Sequence, residues 1–438
     1  MANAAPLGVG LIGCGTVGSG VVKLLLEEGD LYARRSGRRL ELKRVLVRSQ
    51  DIGYKTQQVP PEVLTTEAEA FFKSPGLDVV VELAGGKGII SQFVRRALSE
   101  GKHVVTANKA LLAAEGPDLF ALAHQHGVVL AFEASCCGGI PVIAALQSGL
   151  MANRITALYG ILNGTCNYIL TEMTQRGKTY TTALREAQEK GFAEANPTLD
   201  VSGRDSAHKL AILASLAFGV RATEDQVPCV GVDTLDLVDV RLGEEMGYRV
   251  KLLGMAEEKA GAVALAVQPC FVPRDALIAQ VNGSFNALSI YGHATGHTLY
   301  YGRGAGMMPT AGAVVADLMN IASGGYPAAF AQMRLWPDQQ PPVKLVDRAR
   351  QQSRFYIRIN ALDKPGTMAK VTAVLGAAGI SLSAVRQHEM NDGGFVPVVI
   401  TTHQAQTGAL DGALKEIQKL DVIQGLPVCI RVVDMPEG

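Results

Sequence analysis

The sequence predicts an α/β protein made of successive domains, and two patterns carry this prediction. Near the N-terminus, apolar segments typical of buried strands alternate with helical segments, as in LGVGLIG at 7–13 followed by TVGSGVVKLLLEE at 16–28. Alternation of this kind predicts right-handed crossovers and a parallel sheet. Near the C-terminus, the elements follow the order βαββαβ, which predicts a small split βαβ domain.

The other strands of the N-terminal sheet are predicted at 40–48, 77–85, 102–108 and 127–135. After about residue 150, longer helices mix with strand-like pieces, which indicates an α+β domain. A glycine-rich turn and an apolar helix at 302–323 are expected to return to the first domain.

A chain of 438 residues has room for about three domains of about 150 residues each. We expect a Rossmann-type parallel-sheet domain over 1–150, completed by about 302–335, and an α+β domain over 151–301. A segment containing Pro and Gln at 336–350 is predicted to be a linker. Residues 351–438 would then form the C-terminal domain.

Composition excludes several classes of partner. The chain has 41 Lys+Arg and 41 Asp+Glu, so its formal net charge is zero and no nucleic-acid partner is indicated. Its seven cysteines show no disulfide-like or zinc-like spacing, which fits a reducing compartment. The N-terminus lacks the pattern of a signal peptide and no run of 18 apolar residues occurs, so we expect a cytoplasmic protein with no membrane span.

A G-x-G-x-x-G loop lies between the first predicted strand and the first helix. Glycines at these positions let the backbone approach a pyrophosphate, which the helix N-terminus then binds through its amides. A tight structural turn is the simpler alternative, but the strand–turn–helix context favours dinucleotide binding. The residues predicted to contact the dinucleotide are Gly13, Gly15, Thr16, Val17 and Gly18.

The end of the second strand indicates which dinucleotide binds. NAD sites usually place an acidic residue there for the ribose 2′-hydroxyl, whereas this strand ends in Val47-Arg48-Ser49-Gln50. A guanidinium suits a 2′-phosphate. We therefore expect NADP(H) to be preferred, although Asp51 keeps NAD(H) possible and Arg48 could be an ordinary surface arginine.

The stretch FAEANPTLDVSGRDSAHKL at 192–210 places ionisable groups where an apolar helix begins. Asp205 and Lys209 are i and i+4 on that helix and share one face. The loop before it carries Glu194 and Asp200, and Lys109 follows the fourth predicted strand. An exposed, salt-bridged helix start is the usual explanation for such pairs. The apolar residues that follow predict a buried helix instead, and therefore a site.

At these residues the sequence resembles the homoserine dehydrogenase family. The similarity includes NGTCNYIL at 163–170, ANKALLA at 107–113, FEASCCGGIP at 132–141 and GRGAGMMPTA at 302–311. These motifs occur in the same order over about 7–325, which is far more specific than the glycine loop alone.

The resemblance implies reduction of L-aspartate 4-semialdehyde by NAD(P)H to L-homoserine, with a middle domain that binds substrate and dimerises. Carboxylates suit the ammonium group of this zwitterion, and a lysine can protonate the carbonyl oxygen as hydride arrives. It implies that Lys209 donates the proton, and that Lys109 positions substrate near the nicotinamide. The expected roles of the others are substrate binding or orientation by Glu194, Asp200, Asp205, Gly164 and Thr165, and cofactor contact by Gly306 and Lys109.

The same resemblance implies a monovalent cation, Na⁺ or K⁺, bound chiefly by main-chain oxygens of Glu133, Cys136, Gly138 and Ile140. A redox role for the Cys136-Cys137 pair is the competing interpretation, and we favour it less. His293 and His297 have a spacing that could suggest a metal. We interpret their glycine-containing segment as a loop.

The C-terminal βαββαβ segment, with an NDGG turn between its middle strands and Asp363-Lys364-Pro365-Gly366 opening its first helix, resembles an ACT domain. ACT domains are small-molecule sensors, and amides at such a helix start can hold an amino acid's carboxylate. By this analogy Asp363 and Gly366 are effector residues and threonine is the effector. A domain that only assembles subunits, with Asp363 as a helix cap, is the alternative.

Two other functions compete with this interpretation. One is another ACT-tailed dehydrogenase, such as a phosphoglycerate dehydrogenase-like enzyme, although a glycine loop as early as Gly13 argues against it. The other is a non-catalytic sensor of nucleotide and amino acid, which the Lys109, Lys209 and Asp205 set disfavours. The resemblance also implies a homodimer, or a tetramer built of dimers.

Overall fold

The computed structural model describes residues 5–53, 56–339, 341–387 and 394–436. These residues form two compact units. Unit 1 contains residues up to Thr156 together with Asp205–Val227 and Phe285–Val343, and unit 2 contains Ala157–Arg204, Pro228–Ser284 and Lys344 onward.

The strands in chain order are β1 (Leu7–Ile12), β2 (Leu40–Leu46), β3 (Leu64–Thr65), β4 (Val79–Glu82), β5 (His103–Thr106), β6 (Leu130–Ala131), β7 (Ile155–Ile161), β8 (Tyr248–Lys259), β9 (Ala262–Pro273), β10 (Phe285–Gly292), β11 (Gly296–Arg303), β12 (Lys344–Leu345), β13 (Gln352–Leu362), β14 (Leu382–Gln387), β15 (Phe395–Thr402), β16 (Ala405–Gln406) and β17 (Ile423–Val432).

The helices in chain order are α1 (Thr16–Glu27), α2 (Gly29–Ser36), α3 (Ala68–Phe72), α4 (Ile89–Ser99), α5 (Lys109–Gln125), α6 (Val142–Ala144), α7 (Gly164–Arg176), α8 (Tyr180–Glu189), α9 (Thr198–Val201), α10 (Arg204–Phe218), α11 (Leu237–Glu245), α12 (Met307–Ala322), α13 (Gly325–Gln332), α14 (Thr367–Ala377) and α15 (Thr407–Gln418).

The sheet at the centre of unit 1 is parallel, with the strand order β3-β2-β1-β4-β5-β6. This order confirms the Rossmann-type fold that the alternating strands and helices predict. The order reverses between β1 and β4, whose residues are fully buried. In such sheets the ligand crevice lies outside the carboxyl ends of the strands at this reversal.

Helix α12 of unit 1 packs closely against α1. A side chain at Gly20 would meet Met307 and Ala311 at 3.0 Å, so only glycine allows this approach without a shift. The apolar sequence of α12 is explained by this contact and by its buried residues, which include Val314 and Leu318.

Several local predictions differ from the structure. The strand predicted at 127–135 ends early, because a 3₁₀ turn at Glu133–Ser135 follows β6. The apolar segment IPVIAALQSGL at 140–150 has the composition of one longer helix, but it forms the short helix α6 and then a π-helical turn at Ala145–Gly149. The segment around His297 is not a loop: it forms β11, the second strand of an antiparallel hairpin with β10.

Unit 2 is built on a mixed sheet with the order β7-β8-β9-β17-β13-β15-β14. Its C-terminal part contains β13, α14, β14, β15, α15 and β17, and this confirms the βαββαβ order and the ferredoxin-like arrangement. Alternate residues of β13, such as Ile357 and Ile359, form a core with residues such as Val371 and Leu375 of α14. Asn391, Asp392 and Gly393 of the predicted NDGG turn lie outside the described residues.

The C-terminal βαββαβ segment shares its sheet with the rest of unit 2. Strand β17 pairs in parallel with β9, at Arg431 opposite Cys270. Within the stretch predicted to be a linker, Lys344–Leu345 also adds a short parallel strand to β9.

No helix in the described ranges of the chain combines the length and apolar character required to cross a membrane.

Candidate active site

The glycine loop of unit 1 connects β1 to α1 with the geometry that a phosphate site needs. Gly13 has φ +92°, and a side chain there would meet the backbone of Ala84 at 2.8 Å. Gly18 allows the first turn of α1 to approach the loop, since a Cβ would lie 2.5 Å from Gly13 O. At Gly15, by contrast, nothing lies within 4 Å of the Cβ position. The backbone is therefore open to a ligand at Gly15, next to the α1 N-terminus where Thr16 and Val17 begin the helix.

A groove of about 620 Å³ lies at this loop, within the size range of ligand and cofactor sites. Its lining includes Gly13 and Gly15 of the loop, and Arg48 and Asp51, which follow β2. The open backbone, the helix N-terminus and the groove's size fit a dinucleotide.

Arg48 and Asp51 form a bidentate ion pair at the rim of this groove. Arg48 Nε lies 2.6 Å from Asp51 Oδ2, and Nη2 lies 3.2 Å from Oδ1. The Arg48 side chain is 75% exposed, so the pair can exchange partners with little desolvation cost. Arg48 and Asp51, from which the sequence predicts NADP(H) and allows NAD(H), therefore lie side by side.

The loop after β4 also lines the groove. The side chains that hold this loop in place were not identified from the sequence. The buried Glu82 accepts hydrogen bonds from Thr106 Oγ1 at 2.7 Å and from Gly85 N at 2.8 Å. Burial raises the pKa of Glu82, and the Thr106 hydrogen bond acts in the opposite direction. Asn108 donates to Gly86 O at 2.6 Å. Glu82, an acidic residue within the apolar segment at 77–85, was the sequence feature that could have indicated this arrangement.

Three charged side chains meet at the start of α10. Asp205 Oδ2 lies 2.8 Å from Lys209 Nζ, and Asp205 Oδ1 lies 3.0 Å from Lys109 Nζ. The Asp205 and Lys209 side chains are 5% and 11% exposed, so this is a buried site and not the exposed salt bridge of a surface helix. Lys109, at the N-terminus of α5, is 32% exposed and faces the solvent side of the cluster.

The Asp205 carboxylate keeps Lys209 charged despite its burial. Burial alone would lower the pKa of Lys209, but the charge and hydrogen bond of Asp205 act in the other direction, and the net effect raises the pKa. At neutral pH, Lys209 is therefore a protonated, buried and oriented ammonium group. Such a group can donate a proton to a reacting oxygen.

His208, which precedes Lys209 on α10, belongs to a second ionic group that sequence reasoning did not identify. Its Nε2 contacts Glu224 Oε2, and Lys87 Nζ lies 3.6 Å from the other Glu224 oxygen. Burial lowers the pKa of His208, with Glu224 acting in the opposite direction. Because Lys87 also lines the dinucleotide groove, this group connects the start of α10 to the groove.

Unit 2 has its own polar cluster at the N-terminus of α7. Asn163 caps the helix by accepting a hydrogen bond from Cys166 N at 2.8 Å, and its amide donates to Asp200 Oδ1 at 2.8 Å. The Thr165 hydroxyl donates to Phe192 O at 2.5 Å and lies 3.5 Å from Asp200 Oδ2. The structure therefore brings Asp200 to Asn163 and Thr165 at the N-terminus of α7, the helix that begins at Gly164. Asn163 is part of the NGT motif, but the sequence did not indicate that its side chain joins the start of α7 to Asp200.

Glu194 lies on the exposed segment between α8 and α9. Gln188 Nε2 donates to its main-chain oxygen at 3.1 Å, which fixes the backbone and leaves the carboxylate at the surface.

The FEASCCGGIP segment is a buried turn in unit 1. Both carboxylate oxygens of Glu133 accept backbone hydrogen bonds, from Ile143 N at 2.9 Å and Ala144 N at 2.8 Å. Burial raises the pKa of Glu133 to about 6. Its side chain is thus engaged at the start of α6. A cation bound here would therefore have to use main-chain oxygens. A carbonyl oxygen has two lone pairs, so it can accept a hydrogen bond and still bind a cation.

Two of the main-chain oxygens expected to bind the cation already accept hydrogen bonds. Ile140 O accepts from Val142 N at 2.7 Å, and Glu133 O accepts from Cys136 N at 3.4 Å. Cys137 and Gly138 have φ values of +55° and +29°, so the backbone turns sharply between them. Within the described ranges, no group of three or more His, Cys, Asp or Glu side chains is arranged for a metal ion.

Cys136 and Cys137 are completely buried thiols. Burial raises the pKa of both, so they remain protonated and weakly nucleophilic at neutral pH. His293 and His297 also have structural partners. His293 Nδ1 accepts from Arg154 N at 3.0 Å, and His297 Nε2 lies 3.0 Å from Ser289 Oγ.

Gly306 lies at the N-cap of α12 with φ +122°. In the C-terminal segment, Gly366 takes the N-cap position of α14, with φ +87°. Asp363 does not cap this helix, since no side-chain hydrogen bond caps it. The Asp363 Oδ1 accepts a hydrogen bond from Gln387 Nε2 at 3.0 Å. The adjoining Thr367 hydroxyl is buried, and no described residue is its hydrogen-bond partner.

Family models match this chain in three consecutive segments. The homoserine dehydrogenase NAD binding domain matches residues 13–133, homoserine dehydrogenase matches 141–319, and the ACT domain matches 355–420.

Whole-length relatives agree with these matches. The chain is 41% identical to homoserine dehydrogenase of Pseudomonas aeruginosa over 431 residues, which cover 98% of this chain and 99% of the relative. It is 38% identical to the Neisseria gonorrhoeae homoserine dehydrogenase, with 98% of each chain covered. Among solved structures, a homoserine dehydrogenase from Thiobacillus denitrificans is 40% identical with a TM-score of 0.92, and covers 99% of both chains.

The paired lysines on a buried carboxylate, the dinucleotide groove and the ACT segment therefore agree with the comparisons. The chain belongs to the homoserine dehydrogenase family, in the form that carries a C-terminal ACT domain.

Proposed function

We propose that this enzyme reduces L-aspartate 4-semialdehyde to L-homoserine with NAD(P)H, in the biosynthesis of threonine, methionine and isoleucine. The observation that carries the proposal is the Asp205 carboxylate that holds both Lys109 and Lys209 at the start of a buried helix.

The bound nicotinamide cofactor would supply a hydride to the aldehyde carbon. As that hydride arrives, negative charge develops on the carbonyl oxygen. Lys209 donates the proton that converts it to the hydroxyl of the product, and then regains a proton from water. Asp205 orients Lys209 and Lys109, and Lys109 positions the substrate. This division follows from exposure, since Lys109 is the more accessible of the two lysines.

The substrate is an amino acid as well as an aldehyde, so groups must recognise its charged end. Asp200, positioned by Asn163 and Thr165, is suited to the ammonium group. The amides of Gly164 and Thr165 at the start of α7 are suited to a carboxylate. Glu194, on its exposed segment, is proposed to contribute to ammonium binding.

We propose that NADP(H) is preferred over NAD(H). Arg48 lines the groove and can exchange Asp51 for a 2′-phosphate, whose higher charge makes it the stronger partner. Gly306 is proposed to lie near the cofactor. A monovalent cation held by main-chain oxygens of Glu133, Cys136, Gly138 and Ile140 is a further proposal, and the commitment of the Glu133 carboxylate to α6 supports it.

The ACT segment is proposed to bind threonine as a feedback effector at the start of α14. The buried Thr367 hydroxyl and the Gly366 N-cap provide polar groups there, and Asp363 lies at the same turn. A homodimer or tetramer is also proposed. The exposed strand β14, at the edge of the sheet, offers backbone groups for such pairing.

The proposal is tested by following NAD(P)H oxidation with L-aspartate 4-semialdehyde and identifying the product chromatographically. Butanal has the same aldehyde and chain length but lacks both charged groups, so it is the matched control. We expect L-homoserine to form, with butanal reduced far more slowly. Equal kcat/KM for the two aldehydes would show that the enzyme does not recognise an amino acid.

A further inference from the structure

The loop between β4 and α4 presents a single side chain to the dinucleotide groove. Its sequence is Gly85-Gly86-Lys87-Gly88, and the three glycines have φ values of +71°, +81° and +68°. Left-handed conformations of this kind favour glycine, so the loop has little side-chain bulk. Lys87 is therefore the residue of the four that can contact a ligand through a side chain, and it lines the groove.

This loop lies beside the glycine loop that follows β1. A Cβ at Gly13 would meet Ala84 N at 2.8 Å, so the two segments are in direct backbone contact. The hydrogen bond of 2.6 Å from Asn108 to Gly86 O holds the loop in place. Because only two residues separate Lys87 from Ala84, the Lys87 side chain begins close to the glycine loop.

The sheet order places the cations of the groove on opposite sides of the glycine loop. In the order β2-β1-β4, the loop after β1 lies between Arg48, which follows β2, and Lys87, which follows β4. Among the described residues that line the groove, these two are the only Lys or Arg. In this fold the adenosine ribose lies at the end of the second strand, and the pyrophosphate lies at the start of the first helix. Arg48 is therefore on the adenosine side, and Lys87 is on the other side of the pyrophosphate position.

The pyrophosphate position needs a cation that the glycine loop does not supply. The segment at 13–19 contains no charged side chain, so it offers a ligand only backbone amides, hydroxyls and the partial charge of the α1 N-terminus. A pyrophosphate in a dinucleotide carries two negative charges. Hydrogen bonds from an ammonium group to such oxygens are stronger than those from neutral donors.

Lys87 is held near the groove by a pair that can exchange partners. Its Nζ lies 3.6 Å from Glu224 Oε1, and the two side chains are 46% and 40% exposed, so the pair is weak. The other Glu224 oxygen contacts the buried His208, which keeps Glu224 in place when Lys87 turns towards a phosphate. We propose that Lys87 is a cofactor-binding residue whose ammonium group donates to the pyrophosphate of NADPH and NADH alike. This inference rests on the proposed use of a nicotinamide dinucleotide.

The test is isothermal titration calorimetry of the full-length protein with NADPH, NADH and ADP-ribose, which has the pyrophosphate but no nicotinamide. We expect Lys87→Met to raise the Kd of all three ligands by about tenfold or more, because a hydrogen bond to a charged group is lost. Lys87→Arg keeps a cation and should retain most of the affinity. Lys23→Met is the matched control and should leave every Kd unchanged. Lys23 is 38% exposed, pairs with Glu27 at 4.0 Å and lies outside the groove lining.

Glu224→Gln separates the ammonium group from its pair. This variant removes the carboxylate that competes with the pyrophosphate for Lys87, so it should lower the Kd of all three ligands. In the Lys87→Met background the same change should have no effect, because the two residues act through one contact.

The inference is overturned if Lys87→Met binds the three ligands as tightly as wild type does, or if it weakens NADPH alone. It is also overturned if ADP-ribose binding is unaffected, or if Glu224→Gln weakens binding as much as Lys87→Met. Failure of the proposed function has a different signature. In that case the wild-type protein itself would bind none of the three ligands, and this inference would fall with it.

Discussion

Asp205 and Lys209 form a buried ion pair on one face of α10, with Lys209 Nζ 2.8 Å from Asp205 Oδ2. The i,i+4 spacing places them together, and the apolar remainder of the helix buries them. Burial makes the pair consequential, because the same pair in water would contribute little. The other oxygen of Asp205, Oδ1, pairs with Lys109 Nζ. The carboxylate therefore determines the position of both cations.

Replacing Asp205 by asparagine should lower kcat/KM and move its pH dependence. A hydrogen bond to a charged group contributes about 1.5–3 kcal/mol, which corresponds to a loss of roughly 10- to 100-fold. Burial lowers the pKa of Lys209 and Asp205 raises it, so the variant's Lys209 should lose its proton at lower pH. The proposed mechanism uses protonated Lys209, so the alkaline limb of the pH–rate profile should shift to lower pH. An unshifted alkaline limb would argue against Lys209 as the donor.

Arg48→Ala should raise the KM for NADPH and hardly change the KM for NADH. Asp51→Asn should instead lower the KM for NADPH. This variant removes the carboxylate that pairs with Arg48 and leaves the guanidinium available to a 2′-phosphate. Steady-state kinetics with both cofactors check this pair of variants. If Arg48→Ala weakens both cofactors equally, Arg48 does not recognise the phosphate.

Millimolar threonine should inhibit the intact enzyme, and Asp363→Ala should reduce that inhibition without lowering basal kcat. The reason is that Asp363 and its partner Gln387 shape the turn before α14, remote in sequence from the lysine pair. Inhibition curves for wild type and variant, with Asp421→Asn as the surface control, measure the effect. Should threonine leave the wild-type rate unaltered, the effector assignment fails for that ligand.

Arg358→Met should destabilise the protein by about 3–5 kcal/mol, because it breaks a buried pair and leaves a carboxylate unneutralised. Arg358 Nε lies 2.6 Å from Asp239, a residue with 0% side-chain exposure in the middle segment of unit 2, and Tyr356 OH donates to the same carboxylate. The matched control is Arg354→Met on the same strand, whose pair with Asp434 is 31% and 48% exposed. That loss should be about 0–1 kcal/mol. Equal unfolding free energies for the two variants, measured in urea, would contradict this account.

The sequence predicted those features that depend on local pattern. The glycine loop, the strand–helix alternation and the Asp205–Lys209 spacing are all short-range, and each appears in the structure as expected. It did not reveal contacts made between distant segments. Examples are Asn163 with Asp200, and the sharing of one sheet by β17 and β9. Such pairings depend on tertiary packing, and a short-range pattern has no information about it.

Arg48 shows a further limit. The sequence predicted the position of Arg48 at the end of β2, and it showed Asp51 three residues later. Their bidentate pairing was not, because it depends on the 3₁₀ turn at Ser49–Asp51 that follows the strand. If Arg48 recognises the 2′-phosphate as proposed, cofactor preference depends on how that phosphate competes with Asp51, and neither residue alone could indicate this.

The central claim, that Lys209 supplies the proton for reduction of the aldehyde, is tested most directly by single-turnover NADPH oxidation in Lys209→Met. Lys102→Met is the matched control, because Lys102 is also mostly buried, at 15% side-chain exposure, and pairs with Glu100 at 2.7 Å. With L-aspartate 4-semialdehyde, we expect Lys209→Met to slow the chemical step by about 10²–10⁴-fold while NADPH binds with near-native affinity, and Lys102→Met to react at the wild-type rate. A Lys209→Met enzyme that is folded, binds NADPH and oxidises it at the wild-type rate would contradict the account.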